Sequence, residues 1–239
     1  MTITLMQPYF FPYIGYFSLV HSVEHFVFFD DVQFNRQSWM VRNTIVNFTI
    51  NQPHYIRPGI QTASFPAKYK DIKLANNQHW KDKLLAQLRN YKSKSAFFKQ
   101  EFPFIEQLIL SVNCQSLVEF NTTTTQVLAD YLGFTTSFTT YSNHKHWVNQ
   151  TQINSGTWGL HAALNMGATT FINPPGGESF MPAQEYAAHG VKLGFVQPNL
   201  NSISARSYVS GMSILDVLLC NGKEATAELA RNYTIKWVN

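Results

Sequence analysis

The chain has 239 residues, 45% of them hydrophobic and 13% charged, with a formal net charge of +4. This composition describes a folded globular protein rather than a disordered one, and the lack of any run of eighteen apolar residues excludes a membrane-spanning helix. The only cysteines, Cys114 and Cys220, form no C-x-x-C, which argues against a disulfide framework, structural zinc or a redox motif.

Both cysteines sit among apolar neighbours and read as inert buried thiols. Twelve of the eighteen Lys and Arg residues lie in the first 100 positions, against five of the fourteen Asp and Glu. Most of the excess falls between Lys68 and Lys99. Such a stretch either attracts phosphate or forms a solvated helix face, and no nucleic-acid-binding motif accompanies it. The N-terminus shows no basic region before an apolar segment, and Pro8 and Pro12 interrupt the one candidate. The expected location is the cytoplasm, with no processing.

In chain order, "TITLMQP" reads as a first strand stopped by Pro8. An aromatic bend follows, then "YIGYFSLVHSV" with helical apolar spacing. "HFVFFDD" is a dense apolar run of the kind found in buried parallel strands, so the opening reads as one βαβ unit. "NTIVNFTINQPHYIRPGI" alternates and is cut by Pro53 and Pro58, as in a hairpin. Three helical stretches fill the middle, with Pro103 near a start or kink. "TSFTTYS" reads as a strand. "INSGTWGLHAALNMGATTFINPPGG" and "PAQEYAAHGVKLGFVQP" each read helix, Gly, strand. "SGMSILDVLLCNG" is a last helix ended by Gly222. The expected fold is α/β: one domain over 1–239 with a mostly parallel, Rossmann-like sheet flanked by helices, and a helical insertion over roughly 68–132.

Ligands of such sheets bind beyond the carboxyl ends of strands, and three marked turns fall there. The first is the bend "QPYFFPYIGYF", six of whose eleven residues are Phe or Tyr. Its P-Y-x-G-Y spacing parallels the P-H-x-G-H of many nucleotidyltransferases, where the histidines steady nucleotide phosphates. Tyr13 and Tyr16 stand in their places and bring no cationic form. Phe10, Phe11 and Phe17 are core candidates; Gln7, Tyr13 and Tyr16 are pocket candidates.

The second turn, "DDVQFNRQSWMVRN", offers Asp30, Asp31, Gln33, Asn35, Arg36, Trp39, Arg42 and Asn43. Adjacent carboxylates repel, which raises one pKa and suits a base; they can equally hold a divalent ion or orient sugar hydroxyls. Arg36 and Arg42 can clamp a phosphate or carboxylate, and Trp39 can stack on a ring. The third turn, "NPPGGESF", brings Gly176 and Gly177, whose amides can cradle an anion. His144 and His146 lie two apart without a third ligand at suitable spacing, so no metal site is expected.

"MQPYFFPYIGYF", "FVFFDDVQFNRQSWMVRN", "LNMGATTFINPPGG", "HGVKLGFVQP" and "MSILDVLLCNG", in this order, resemble the WbqC-like protein family. One departure is the glycine turn, which often reads S-G-P-x-G in the family and Asn173-Pro174-Pro175-Gly176-Gly177 here. The resemblance implies a bacterial cytoplasmic protein of surface-polysaccharide (O-antigen or capsule) sugar pathways. The implied reaction is acyl or aminoacyl transfer, glycyl included, onto the amine of a nucleotide-linked deoxyamino sugar. In that reading Asp31 or Asp30 takes the amine proton, while Arg36, Arg42 and the Gly176-Gly177 amides hold phosphate or oxyanion. Trp39, Tyr13 and Tyr16 position rings, and Gln7, Gln33 and Asn43 complete the binding set. The donor is a carrier-protein thioester, a coenzyme A thioester or an aminoacyl-tRNA. The alternatives are an adenylate-forming, nucleotidyltransferase-like enzyme and a non-catalytic sugar-nucleotide binder.

Overall fold

The first strand of the chain becomes the middle of the sheet. In the computed structural model, which describes residues 1–62, 66–76, 78–147, 153–199 and 211–238, β1 (Thr2–Met6) lies between β2 (His25–Phe28) and β6 (Thr170–Asn173). The full order is β5-β2-β1-β6-β7-β8, with β5 spanning Ser137–Thr140, β7 Lys192–Pro198 and β8 Tyr233–Val238. The first five of these strands run parallel and β8 runs antiparallel to β7. A parallel sheet covered on both faces needs apolar residues on both faces of its strands. Accordingly Ile3, Thr4 and Leu5 are all buried, as are Phe26, Val27 and Phe28. Succession leaves β1 toward β2 and later returns to its other side at β6. The junction of β1 and β6 is therefore the topological switch point, where such sheets open a crevice at their carboxyl ends.

The mostly parallel α/β sheet expected from the sequence is thus present. Helix α1 (Ile14–His21) connects β1 to β2 and is buried at every residue from Ile14 to Val20, because it packs against α7 (Ile214–Arg231) as well as the sheet. The hairpin is also present: β3 (Asn43–Asn47) pairs antiparallel with β4 (Gln52–Ile56). Its tip uses Asn51 at φ +50°, a left-handed position that Asn tolerates. Between the hairpin and β5 come α2 (His79–Leu88), α3 (Phe98–Ser111) and α4 (Leu117–Tyr131). One buried apolar cluster runs from α1 through these three helices into α7. Helices α5 (Trp158–Asn165) and α6 (Ala183–Ala188) cover a second cluster on β1, β6 and β7.

Two features differ from expectation. Gly222 does end the helix expected there, at φ +76° and ψ 173° with the Phe97 ring where a Cβ would stand, but beyond this kink a second helical segment of α7, not expected from the sequence, runs to Arg231. Beyond it lies β8, a strand not expected from the sequence, which closes one sheet edge. Lys236 of β8 pairs with Glu178 and so ties the edge to the turn after β6.

Helix α7 is joined to the hairpin through a buried carboxylate. Asp216, 1% exposed, accepts from the Val46 amide at 3.1 Å and from the Tyr91 hydroxyl. Burial pushes its pKa from 3.8 up to about 6, against hydrogen bonds that favour the charged form. The folded state then holds this proton more tightly than the unfolded chain, so the Asp216 contribution to stability falls as pH rises from 3.8 to about 6 and stays low above that. Asp216→Asn keeps an acceptor and removes the titration. Urea midpoints should show the Asn variant gaining on wild type across this window; two curves that stay parallel in pH would contradict the assignment.

Candidate functional site

The bend after β1 is held by hydrogen bonds to its carbonyls. The Gln7 carbonyl accepts from the Tyr16 hydroxyl at 2.9 Å. The Pro8 carbonyl accepts from the Tyr69 hydroxyl at 3.1 Å and from Asn121 Nδ2 at 3.0 Å. Asn43 Nδ2 donates to the Phe10 and Phe11 carbonyls at 3.2 and 2.7 Å, and Ser213 Oγ also donates to Phe11 at 2.8 Å. The Ile214 amide donates to Pro12 at 2.8 Å. Phe11 lies in the left-handed region at φ +42°, a conformation a bulky residue adopts only when its surroundings impose it. Phe10, Phe11 and Phe17 are fully buried, as their place in the sequence implies. Phe10 and Phe11 meet edge to face at 4.8 Å and both reach Phe120 of α4.

With the bend fixed, two adjoining cavities open at the switch point. The first, about 350 Å³, is walled by Tyr9, Tyr13, Tyr16, Trp39 and Asn43. The second, about 470 Å³, is walled by Gln7, Phe29, Trp158, Asn173, Gly176 and Gly177 among others. Met6, Tyr9 and Pro174 line both. Among the described lining residues there is no Asp, Glu, His, Cys, Lys or Arg. Polarity comes from amides and hydroxyls instead. Burial pushes the Tyr9 hydroxyl up to about 12, with Tyr13 adding to the effect, so Tyr9 stays a protonated donor. Tyr16 is raised well above its ordinary value, by burial first and by Tyr9 and Tyr69 after it, so it supplies no charge.

Seven of the sequence-derived candidates therefore meet here: Gln7, Tyr13, Tyr16, Trp39, Asn43, Gly176 and Gly177. Asn43 is also committed to structure, since both its amide ends are engaged in the fold. The Gly177 amide donates to the Pro174 carbonyl at 3.1 Å, within a 3-10 turn over Pro175–Gly177. A Cβ at 177 would lie 2.0 Å from the Asn173 side-chain nitrogen, so a larger residue there would displace the Asn173 side chain from the cavity wall. Arg42 lies on the Trp39 ring, 5.6 Å from its centre.

The other four candidates stand apart from the cavities. Gln33 and Arg36 line a separate open hollow with Phe34, Asn35 and Gln37. Asp30, 2% exposed, accepts from the Ser142 amide at 2.9 Å and faces a hollow with Lys70 and Thr140. Asp31 pairs with Lys68 at 2.7 Å and Lys70 at 3.0 Å. Burial raises its pKa, but hydrogen bonds and charge from the two lysines outweigh burial, and the net direction is down. The raised carboxylate pKa that suits a base is not the state of Asp31.

Tyr9, at the centre of the site, is the residue that sequence reasoning missed. The available signal was a hydroxyl kept in a run where Phe10 and Phe11 have none. Cys114 and Cys220 are half-buried free thiols whose pKa values burial raises, Cys220 to about 12, so neither is an activated nucleophile. His144 Nε2 lies 2.8 Å from Thr139 Oγ1; the His146 side chain falls outside the described residues. No cluster of three metal-ligating side chains occurs among the described residues. Nor does any described helix have the length and apolarity to cross a membrane.

The sequence profile of the WbqC-like protein family matches residues 7–228, which spans the bend, both cavities and nearly all of α7. The chain belongs to the WbqC-like protein family. No curated protein and no solved structure matches this WbqC-like chain.

Asp31→Asn tests the lysine pairing. A carboxylate with a depressed folded-state pKa contributes stability above its unfolded value, 3.8, and loses it as pH falls through the folded one. The Asn variant should melt below wild type near neutrality, with the gap closing in acid. A gap that does not change with pH would show that Asp31 contributes nothing through its charge.

Proposed function

We propose that this WbqC-like chain binds a nucleotide-linked amino sugar at the β1/β6 switch point and transfers an acyl or aminoacyl group, such as glycyl, to the sugar amine. The observation that supports this most is the pair of cavities joined at Met6, Tyr9 and Pro174. Their combined walls mix aromatic rings with side-chain amides and glycines. Aromatic faces suit a sugar ring or a base, and the crevice beyond β1 and β6 is where doubly wound sheets take nucleotides.

In this reaction the amine nitrogen attacks the acyl carbonyl carbon. A C–N bond forms, the C–S or C–O bond to the donor breaks, and the amine proton leaves with the thiol or hydroxyl group. Tyr9, kept protonated, supplies a hydrogen bond to the oxygen that becomes negative. A carrier-protein thioester, a coenzyme A thioester or an aminoacyl-tRNA can each deliver the group. The neutral lining also favours a second reading, a binder of sugar nucleotides without turnover. An adenylate-forming reaction is disfavoured, since Tyr16 is tied to the Gln7 carbonyl and carries no cationic form.

The test is a thermal-shift screen with UDP- and dTDP-linked amino sugars, followed by mass detection of acylated product with each donor class. A ligand that favours the folded state raises the melting temperature. Tyr9→Ala should lose the shift, whereas Tyr9→Phe should keep it and lower turnover by about 10²-fold. Binding with no product from any donor favours the second reading. No shift with any amino-sugar nucleotide removes both.

A further inference from the structure

The cavities carry no charge among their described residues, yet two arginines converge at their rim. The register of β3 and β4 sets Asn43 opposite Ile56. Arg42 and Arg57 are the next residues beyond this last pair, at the open end of the hairpin. Both guanidiniums lie over the ring of Tyr55, at 4.8 Å for Arg42 and 5.3 Å for Arg57. Arg42 also lies over Trp39, whose ring walls the first cavity. Two guanidiniums thus contact one aromatic ring. Among the described residues no carboxylate lies within 4.0 Å of either arginine, and the buried Nε of Arg42 has no hydrogen-bond partner.

Like charges held close together cost stability, and a buried donor without an acceptor costs more. The usual remedy, an acidic side chain, is not present. Trp39 and Tyr55 remain 42% and 44% exposed, which leaves their rings open to a planar group. A forked cation beside an open ring suits phosphate oxygens attached to a base or sugar. The sequence pairs Arg42 with Arg36 as a clamp; Arg36 lines a hollow of its own, whereas Arg57 meets Arg42 at the Tyr55 ring.

We infer that Arg42 and Arg57, with Trp39 and Tyr55, form a diphosphate-binding rim that takes the nucleoside diphosphate portion of the ligand seated in the first cavity. The identity of the sugar rests on the proposed function above, whereas the anion site rests on the arginine pair itself.

The experiment measures binding of UDP and of inorganic pyrophosphate to wild type, Arg57→Glu, Arg57→Lys and Arg42→Gln, at several salt concentrations. Arg57 is exposed, so its variants should fold; melting without ligand verifies this. Wild type should bind both probes, more weakly as salt rises. Arg57→Glu and Arg42→Gln should weaken binding by about tenfold or more and flatten the salt dependence, with Arg57→Lys intermediate. Equal affinity of wild type and Arg57→Glu, or no binding of either probe to wild type, overturns the inference. If pyrophosphate binds through Arg57 while no amino-sugar nucleotide raises the melting temperature, the rim stands and the proposed function falls. If an amino-sugar nucleotide binds wild type and Arg57→Glu alike, the proposed function stands and the rim falls.

Discussion

The structure depends on the hydrogen bonds that strap the carbonyls of residues 7–12. The side-chain donors come from distant parts of the chain: Tyr16 on α1, Asn43 on β3, Tyr69 before α2, Asn121 on α4 and Ser213 at the start of α7. Each carbonyl they meet lies in or beside an apolar core, where an unpaired oxygen would cost about 1–3 kcal/mol. The donors therefore fix not only the bend but the docking of hairpin, helical middle and last helix around it. They also hold Phe11 in a left-handed conformation that its side chain would otherwise avoid. Backbone strain held by many donors is a feature of sites built in advance of their ligand.

A consequence is a division of labour between shape and charge. The cavities at the switch point are shaped by Tyr9, Tyr13, Trp39 and the glycine turn, and their described walls are neutral. Charge is used elsewhere. Lys68 and Lys70 hold Asp31, Arg89 holds Glu106, and Lys81 donates to the Val112 carbonyl at 2.7 Å. Much of the basic stretch read from the sequence is thus spent on internal contacts. The arginines over Tyr55 touch aromatic rings and, among the described residues, no carboxylate, and Arg42 reaches the Trp39 ring of the cavity wall. This arrangement suits the ligand proposed above, since a sugar is recognised by faces and hydrogen bonds and a diphosphate by charge.

Much of the architecture was legible because local patterns and global packing agree. "HFVFFDD" is apolar on both faces and becomes a strand beside the middle one; "NTIVNFTINQPHYI" alternates and becomes the hairpin. The bend and the glycine turn were legible as neighbours because both end strands of a parallel sheet. Four things were not legible. Gly222 breaks the helix as its residue type suggests, but the helical segment from there to Arg231 was hidden, because a positive-φ glycine reads as a terminus and not as a kink between two segments. Strand β8 is an edge strand with mixed burial, so its apolar signal is weak. Asp30 and Asp31 look like a catalytic pair because adjacency in sequence hides their opposite surroundings, a backbone amide for one and two lysines for the other. Arg57 carries no signal at all until the hairpin brings it to the Tyr55 ring with Arg42.

The proposed function requires the bend after β1 and the turn after β6 to form one ligand site. Amide hydrogen exchange with and without a UDP-linked amino sugar tests it most directly. The account predicts added protection at residues 9–16 and 173–177 together, with little change in β7 and β8. Protection confined to other segments, or the same exchange with and without ligand at saturating concentration, would contradict it.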